Sequence, residues 1–128
     1  MRIDITQNPD KPGFYTITPH GPIDSETHEE FVTRVHPLLS PKTRGILVDL
    51  KDVDYISSAG LGALFTIKKF MLAKNSDLLF CNLKPQIKQL FEIIKALPKE
   101  TIFTNTEEAD RYFYKIMNDE IEKQRKKS

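Results

Sequence analysis

Residues 54–62 read DYISSAGLG, and the adjacent hydroxyls of Ser57 and Ser58 are the first side chains in this sequence whose types suggest chemistry. They follow the apolar run GILVDL (45–50), and Ala59 and Gly60 leave little side chain to cover them. Three roles compete: helix cap, nucleophile, or acceptor of a group delivered by another enzyme. A serine just ahead of a helical stripe caps well, because its oxygen accepts from an early helix N–H. Ser58 stands there, before Leu61, Leu64, Phe65, Met71 and Leu72. The nucleophile role lacks its setting. A nucleophile elbow wants G-x-S-x-G after a strand, and Tyr55 and Ile56 occupy the positions two before the serines. Gly60 and Gly62 supply half of a G-x-G-x-x-G fingerprint, but Phe65 fills the third place and no Walker lysine follows.

The remaining titratable residues offer less. His28 and His36 are eight apart on one expected helix, neither with the i+4 partner of a zinc motif, and all three histidines, His20 included, read as solvent-exposed. Asp49, Asp52 and Asp54 read as a charged strand end and turn in preference to a divalent-cation cluster. Cys81 is the single cysteine; it lies in LLFCNL, reads as a buried thiol, and excludes an internal disulfide. No catalytic residue, metal or cofactor is expected.

The bulk numbers narrow the class. A chain of 128 residues, 39% hydrophobic and 29% charged, suits one soluble domain spanning 1–128. The formal net charge is +1, and the one basic concentration is the tail KQRKKS, within a frayed terminus from about 120 to 128. A nucleic-acid binder concentrates basic charge on a face, so direct nucleic-acid binding is disfavoured. No apolar run approaches the ~20 residues of a membrane span, and MRIDITQNPD lacks the apolar stretch of a signal peptide. A cytoplasmic location without membrane contact is expected.

The elements that position the serines are legible from periodicity. RIDIT (2–6) and FYTIT (14–18), joined by the turn residues NPDKPG, predict a hairpin. Phe31, Val32, Val35, Leu38 and Leu39 predict a helix from Ser25 to about Leu39, with glutamates early and prolines at its end. GILVDL (45–50) and DLLFCNL (77–83) predict strands covered on both faces. Between them, 58–73 predicts a helix. Pro85 opens another, with Ile87, Leu90, Phe91 and Ile94 on one stripe and Pro98 stopping it. TIFT (101–104) predicts a short strand. The last helix carries Ala109, Tyr112, Phe113, Ile116 and Met117 behind the capping pair Asn105 and Glu108. The order β-β-α-β-α-β-α-β-α implies one α/β domain with a mixed sheet of about five strands and four helices.

Helix 58–73 carries an unusual pattern. At about 100° per residue, Leu61, Leu64, Phe65, Lys68 and Leu72 form a core stripe, while Ala59, Ala63, Ile67 and Phe70 fall on the opposite side. A surface helix should be polar there. Burial under a neighbouring helix and an exposed contact patch both account for it, and the sequence leaves the two open.

GILVDLKDVDYISSAGLGAL resembles the signature of the STAS domain, in which an apolar strand leads into Asp-Ser-Ser/Thr-Gly-Leu-Gly at a helix start. GPID (21–24) is similar to that family's loop after the second strand, and LLFCNLKPQIKQLFEIIKA and IFTNTEEADRYF to its later units. The resemblance spans nearly the whole chain. It implies a STAS-like fold and an anti-sigma factor antagonist: a non-enzymatic switch that binds an anti-sigma factor acting as a serine kinase. Phosphorylation releases that partner, and a serine phosphatase resets the cycle. The matching acceptor is Ser58, and Asp24 matches the loop aspartate near the phosphosite. Ser57 stands where the family often has Asp, and Ala59 where a second Ser or Thr is common. Partner contacts are expected at Asp24, Ser57, Ala59, Gly60, Ala63, Ile67 and Phe70. Two other classes compete with this one: a STAS module that binds a small ligand or scaffolds a signalling complex without phosphorylation, and a hydrolase using Ser57 or Ser58. The latter lacks any nearby base.

Overall fold

A computed structural model describes residues 1–94 and 102–103. Strands β1 (Arg2–Gln7) and β2 (Phe14–His20) form the expected hairpin, in antiparallel register from Arg2 opposite His20 to Gln7 opposite Tyr15. Its turn has a mechanism. Asn8 Oδ1 accepts from the Asp10 amide at 2.9 Å, and the Asn8 amide donates to Phe14 O at 2.9 Å. Gly13 has φ +88°, a region in which L side chains are strained, and a methyl there would also meet Lys42 O at 2.8 Å.

After β2 come α1 (His28–Val35), one turn of 3-10 helix (His36–Leu38), β3 (Gly45–Asp49), α2 (Ser58–Ala73), β4 (Asp77–Cys81), α3 (Pro85–Ile94) and β5 (Ile102–Phe103). The sheet order is β1-β2-β3-β4-β5, with every pair after the hairpin parallel. β3 is buried at every position, as its unbroken apolar run requires. Ile46 and Val48 join Ile17, Phe31, Leu64, Met71, Phe80, Ile87 and Phe91 in the larger core, which holds side chains from α1, α2 and α3. Phe80 and Phe91 meet edge to face at 5.4 Å, a geometry aromatic pairs favour. Leu47, Leu79 and Cys81 form a second cluster with Phe14. No helix among the described residues is long and apolar enough to cross a membrane.

Three expectations need correction. α1 is shorter than the predicted 25–39: a capping turn occupies 24–27, and Pro37, without an N–H and with a ring that crowds the preceding turn, tightens the end into 3-10 geometry. On α2 the buried arc differs from the expected stripe. Leu61, Leu64, Lys68 and Met71 are buried, Phe65 is half-buried, and Leu72 is 52% exposed. Ala63 and Ile67, expected on the far side, are buried too, because α2 packs on the sheet along one flank and beside α1 along the other. Finally, His20 is not a solvated histidine: its ring is wedged between two aspartates. Pro98, the last helix with Asn105 and Glu108, and the basic tail lie outside the described residues.

Lys68 shows how a charged residue joins a core stripe. Its Nζ donates to Leu78 O at 3.1 Å and lies 3.3 Å from Asp77 Oδ1, while its methylenes cover apolar surface.

Candidate functional site

β2 and β3 run parallel, so the loops that leave them, 21–27 and 50–57, emerge at the same edge of the sheet. Crevices at the carboxyl ends of parallel strands are where open α/β sheets bind. The two loops are fastened together. Gly21 N donates to Asp52 O at 3.0 Å, Ile23 N to Tyr55 O at 3.0 Å, and Ser57 N to Ile23 O at 2.9 Å. Ile23 and Ile56 form a parallel bridge, and both side chains are buried. Gly21 adopts φ +105°, which bends the chain into this path.

The serines divide their roles in a way that corrects the capping expectation. Ser57, not Ser58, is the N-cap of α2: its backbone is extended (φ −80°, ψ 173°) and its Oγ accepts from Gly60 N at 3.1 Å. Ser57 O accepts the first ladder bond, from Leu61 N at 2.8 Å. Ser58 is the first helical residue. Of the opening amides that the helix cannot bond itself, Ser57 N goes to Ile23 O and Gly60 N to Ser57 Oγ, at the positive end of the helix dipole.

Gly60 is buried because Ile23 lies on it. A methyl added to Gly60 would stand 2.2 Å from Ile23 O, closer than any real contact. Gly62, two residues on, has open space where its side chain would be.

Asp24 organises the start of α1. Its Oδ1 accepts from the amides of Glu26 (2.9 Å) and Thr27 (3.1 Å), and Thr27 Oγ1 lies 3.2 Å from it. Thr27 Oγ1 in turn accepts from Asp24 N at 3.0 Å and donates to Pro22 O at 2.8 Å. This is a reciprocal cap, a structural role beyond the one expected of Asp24. His28 Nδ1 closes the turn against Asp24 O at 3.0 Å.

Charged pairs brace the flanks. His20 Nε2 lies 2.8 Å from Asp4 Oδ2 and Nδ1 lies 2.7 Å from Asp52 Oδ2, tying β1 to loop 50–57 through the imidazole. The hydrogen bond to His20, with a smaller contribution from Arg2, holds the Asp4 carboxyl below the usual carboxylate value. A depressed carboxylate stabilises the fold above its unfolded value of about 3.9 and ceases to do so as pH falls through the folded value. Asp4→Asn should therefore melt slightly below the wild type at neutral pH, and the gap should close below about pH 4; paired thermal melts across that range check it. On the other side Lys84 pairs with Asp54, and Gln86 Nε2 donates to Asp54 O at 3.3 Å. Asp49, Asp52 and Asp54 are thus separately engaged: Asp49 Oδ1 accepts from Lys51 N and Asn82 Nδ2, each at 3.1 Å.

The expected partner-contact residues are only partly brought to one surface. Asp24, Ser57 and Ala59 are half-buried at the loop edge, and Phe70 is 48% exposed with Lys74 Nζ 5.3 Å from its ring centroid. Gly60, Ala63 and Ile67 are buried, so they support this surface from beneath and cannot present side chains to a partner. The sequence reading missed Ile23 and Thr27, whose buried packing and cap hold the loop, and Tyr55, which is 58% exposed beside the serines. An aromatic directly after Asp54 in a strand-to-helix loop was the available signal for Tyr55.

The STAS domain family matches residues 5–109. The chain belongs to the STAS family. Two of the relatives it resembles in sequence are named as anti-sigma factor antagonists. The anti-sigma-B factor antagonist of Staphylococcus aureus is 32% identical over 94 residues, 73% of this chain and 85% of that protein. The putative anti-sigma factor antagonist BtrV of Bordetella bronchiseptica is 32% identical over 73 residues, 57% of this chain and 63% of that protein. Among solved STAS structures, the Bacillus anti-sigma factor antagonist SpoIIAA superposes with a TM-score of 0.69 in its phosphorylated form, at 15% identity, covering 87% of this chain and 99% of that one. Its unphosphorylated form gives the same TM-score of 0.69.

Proposed function

We propose that this STAS chain is an anti-sigma factor antagonist whose binding is switched by phosphorylation of Ser58. The observation that carries the reading is the division of labour at the start of α2. Ser57 holds the cap and Ser58 opens the helix, at an edge where loops 21–27 and 50–57 are fastened into one surface. Phosphoserine carries roughly −1.5 to −2 charge, and a helix N-terminus tolerates it well. The names of the staphylococcal and Bordetella relatives, and the two phosphorylation states of SpoIIAA, support the same reading. The partner is an anti-sigma factor that is also a serine kinase, a serine phosphatase restores the binding form, and the antagonist itself performs no catalysis.

Incubation with ATP and the serine-kinase anti-sigma factors of the same genome, followed by intact mass, tests the assignment. The wild type should gain one phosphate and Ser58→Ala none. Ser57→Ala should still be labelled, although loss of the cap costs about 1 kcal/mol of stability. Labelling of Ser58→Ala together with loss in Ser57→Ala overturns the assignment.

The contact surface in this reading runs from Asp24 and Ser58 past Ala59 to Phe70. Phe70→Asp should weaken kinase binding about tenfold, within the range of a moderate interface residue. Its melting temperature should hold, because the ring is already half in water. Calorimetric binding beside a thermal melt distinguishes the two effects; unchanged affinity removes Phe70 from the surface.

A further inference from the structure

His20 is the last residue of β2, and the hairpin register sets it opposite Arg2, with Asp4 diagonal to it on the same face. Diagonal cross-strand neighbours lie within reach of long side chains, and His20 Nε2 is 2.8 Å from Asp4 Oδ2. The second ring nitrogen serves a different element. Nδ1 is 2.7 Å from Asp52 Oδ2, on the loop that runs to Ser57, and the Asp52 carbonyl accepts from Gly21 N at 3.0 Å. One imidazole thus spans β1 and loop 50–57, with its side chain 22% exposed.

Carboxylates accept hydrogen bonds and donate none. A ring held between two of them donates to both only as the imidazolium; the neutral ring has one N–H and one lone pair. Whichever nitrogen is bare then sets a lone pair against a carboxylate oxygen, and one of the two links is lost. The surrounding charges do not replace it. Arg2, 3.4 Å from Asp4 Oδ2, reaches the β1 carboxylate alone, and no other side chain among the described residues pairs with the Asp52 carboxylate. Asp49 Oδ1, on β3, is taken by Lys51 N and Asn82 Nδ2, and Lys51 is exposed. We infer that His20 is a proton-operated bridge, tying β1 to the loop that leads into Ser57 and Ser58 only while both ring nitrogens carry protons. The loop is held more firmly on the acid side, and the bridge opens as the ring loses its proton with rising pH. The bridge does not depend on phosphorylation of Ser58.

Nuclear magnetic resonance on the full chain, from about pH 5.5 to about pH 8.5, tests this across the range in which histidines change charge. At the acid end both His20 ring nitrogens should carry protons. As pH rises, the carboxyl carbons of Asp4 and Asp52 should shift in step with the ring. Exchange protection of the Gly21 and Ser57 amides, corrected for the intrinsic pH dependence of exchange, should fall about fivefold, the factor one net hydrogen bond contributes. In His20→Gln, which has no proton to lose in this range, that protection should stay flat. Asp52→Asn gives a second arm should His20→Gln fold poorly: Asp4 should still follow the ring, while the Gly21 and Ser57 amides should not. The bridge is overturned if only one aspartate follows the ring, or if a single ring nitrogen is protonated at the acid end. Protection that stays flat in the wild type, or that falls equally in His20→Gln or Asp52→Asn, overturns it as well.

Discussion

Gly60→Ala and Gly62→Ala should move stability in opposite directions, although the two glycines lie two residues apart on one helix. Alanine is the better helix former by about 1 kcal/mol, and at Gly62 nothing within 4 Å opposes the added methyl. Gly62→Ala should therefore stabilise by roughly 0.5–1 kcal/mol. At Gly60 the methyl would stand 2.2 Å from a backbone carbonyl, that of Ile23, which cannot rotate away as a flexible side chain would. The carbonyl is also committed, accepting from Ser57 N at 2.9 Å. Relief requires loop 21–27 to lift from α2, which strains the Ile23–Ile56 bridge and drags Asp24's cap with it. Overpacking of this kind costs about 1–3 kcal/mol, and the backbone clash puts Gly60→Ala at the upper end, a loss on the order of 10 °C for a domain of this size. Paired thermal melts decide it. A shift of the same sign in both variants would mean that Ile23 yields freely and that the two loops are not fastened as described.

Much of this site was legible in the sequence, and the parts that were not have specific causes. The boundaries of α2 follow from the break at 51–57 and the apolar spacing through Leu72, and the observed helix is Ser58–Ala73. The cap was misplaced by one residue because adjacent serines are the same residue type. Only the extended backbone of Ser57 and its reach to Gly60 N separate them. The phase of the α2 stripe was equally hard to read, since apolar residues surround most of the helix. Whether Ile67 or Leu72 turns inward depends on α1 lying alongside, a long-range arrangement no local spacing reports. His20 looked solvated for a similar reason: its partners Asp4 and Asp52 are 16 and 32 residues away in sequence. The expected role of Asp24 came from resemblance, whereas its cap on Glu26 and Thr27 comes from geometry.

The phosphate at Ser58 should abolish partner binding without disturbing the fold. Within the domain the added charge meets the opening amides of α2 and the positive end of its dipole, so the local effect is favourable or small. Ser57 keeps its bond to Gly60 N, because the modification falls on the neighbouring residue. The cost therefore appears across the interface, where a dianion must be stripped of water against a surface shaped for a neutral hydroxyl. A loss of ~3 kcal/mol is already about a hundredfold in affinity, sufficient for exchange of partners.

Calorimetric binding of the kinase-type anti-sigma factor to unphosphorylated and Ser58-phosphorylated protein, with a thermal melt of each preparation, tests this most directly. The expected result is at least about a hundredfold weaker binding, with melting temperatures within a few degrees of each other. Equal affinities for the two forms, or a collapse of the melting temperature on phosphorylation, would contradict an electrostatic switch acting across the interface.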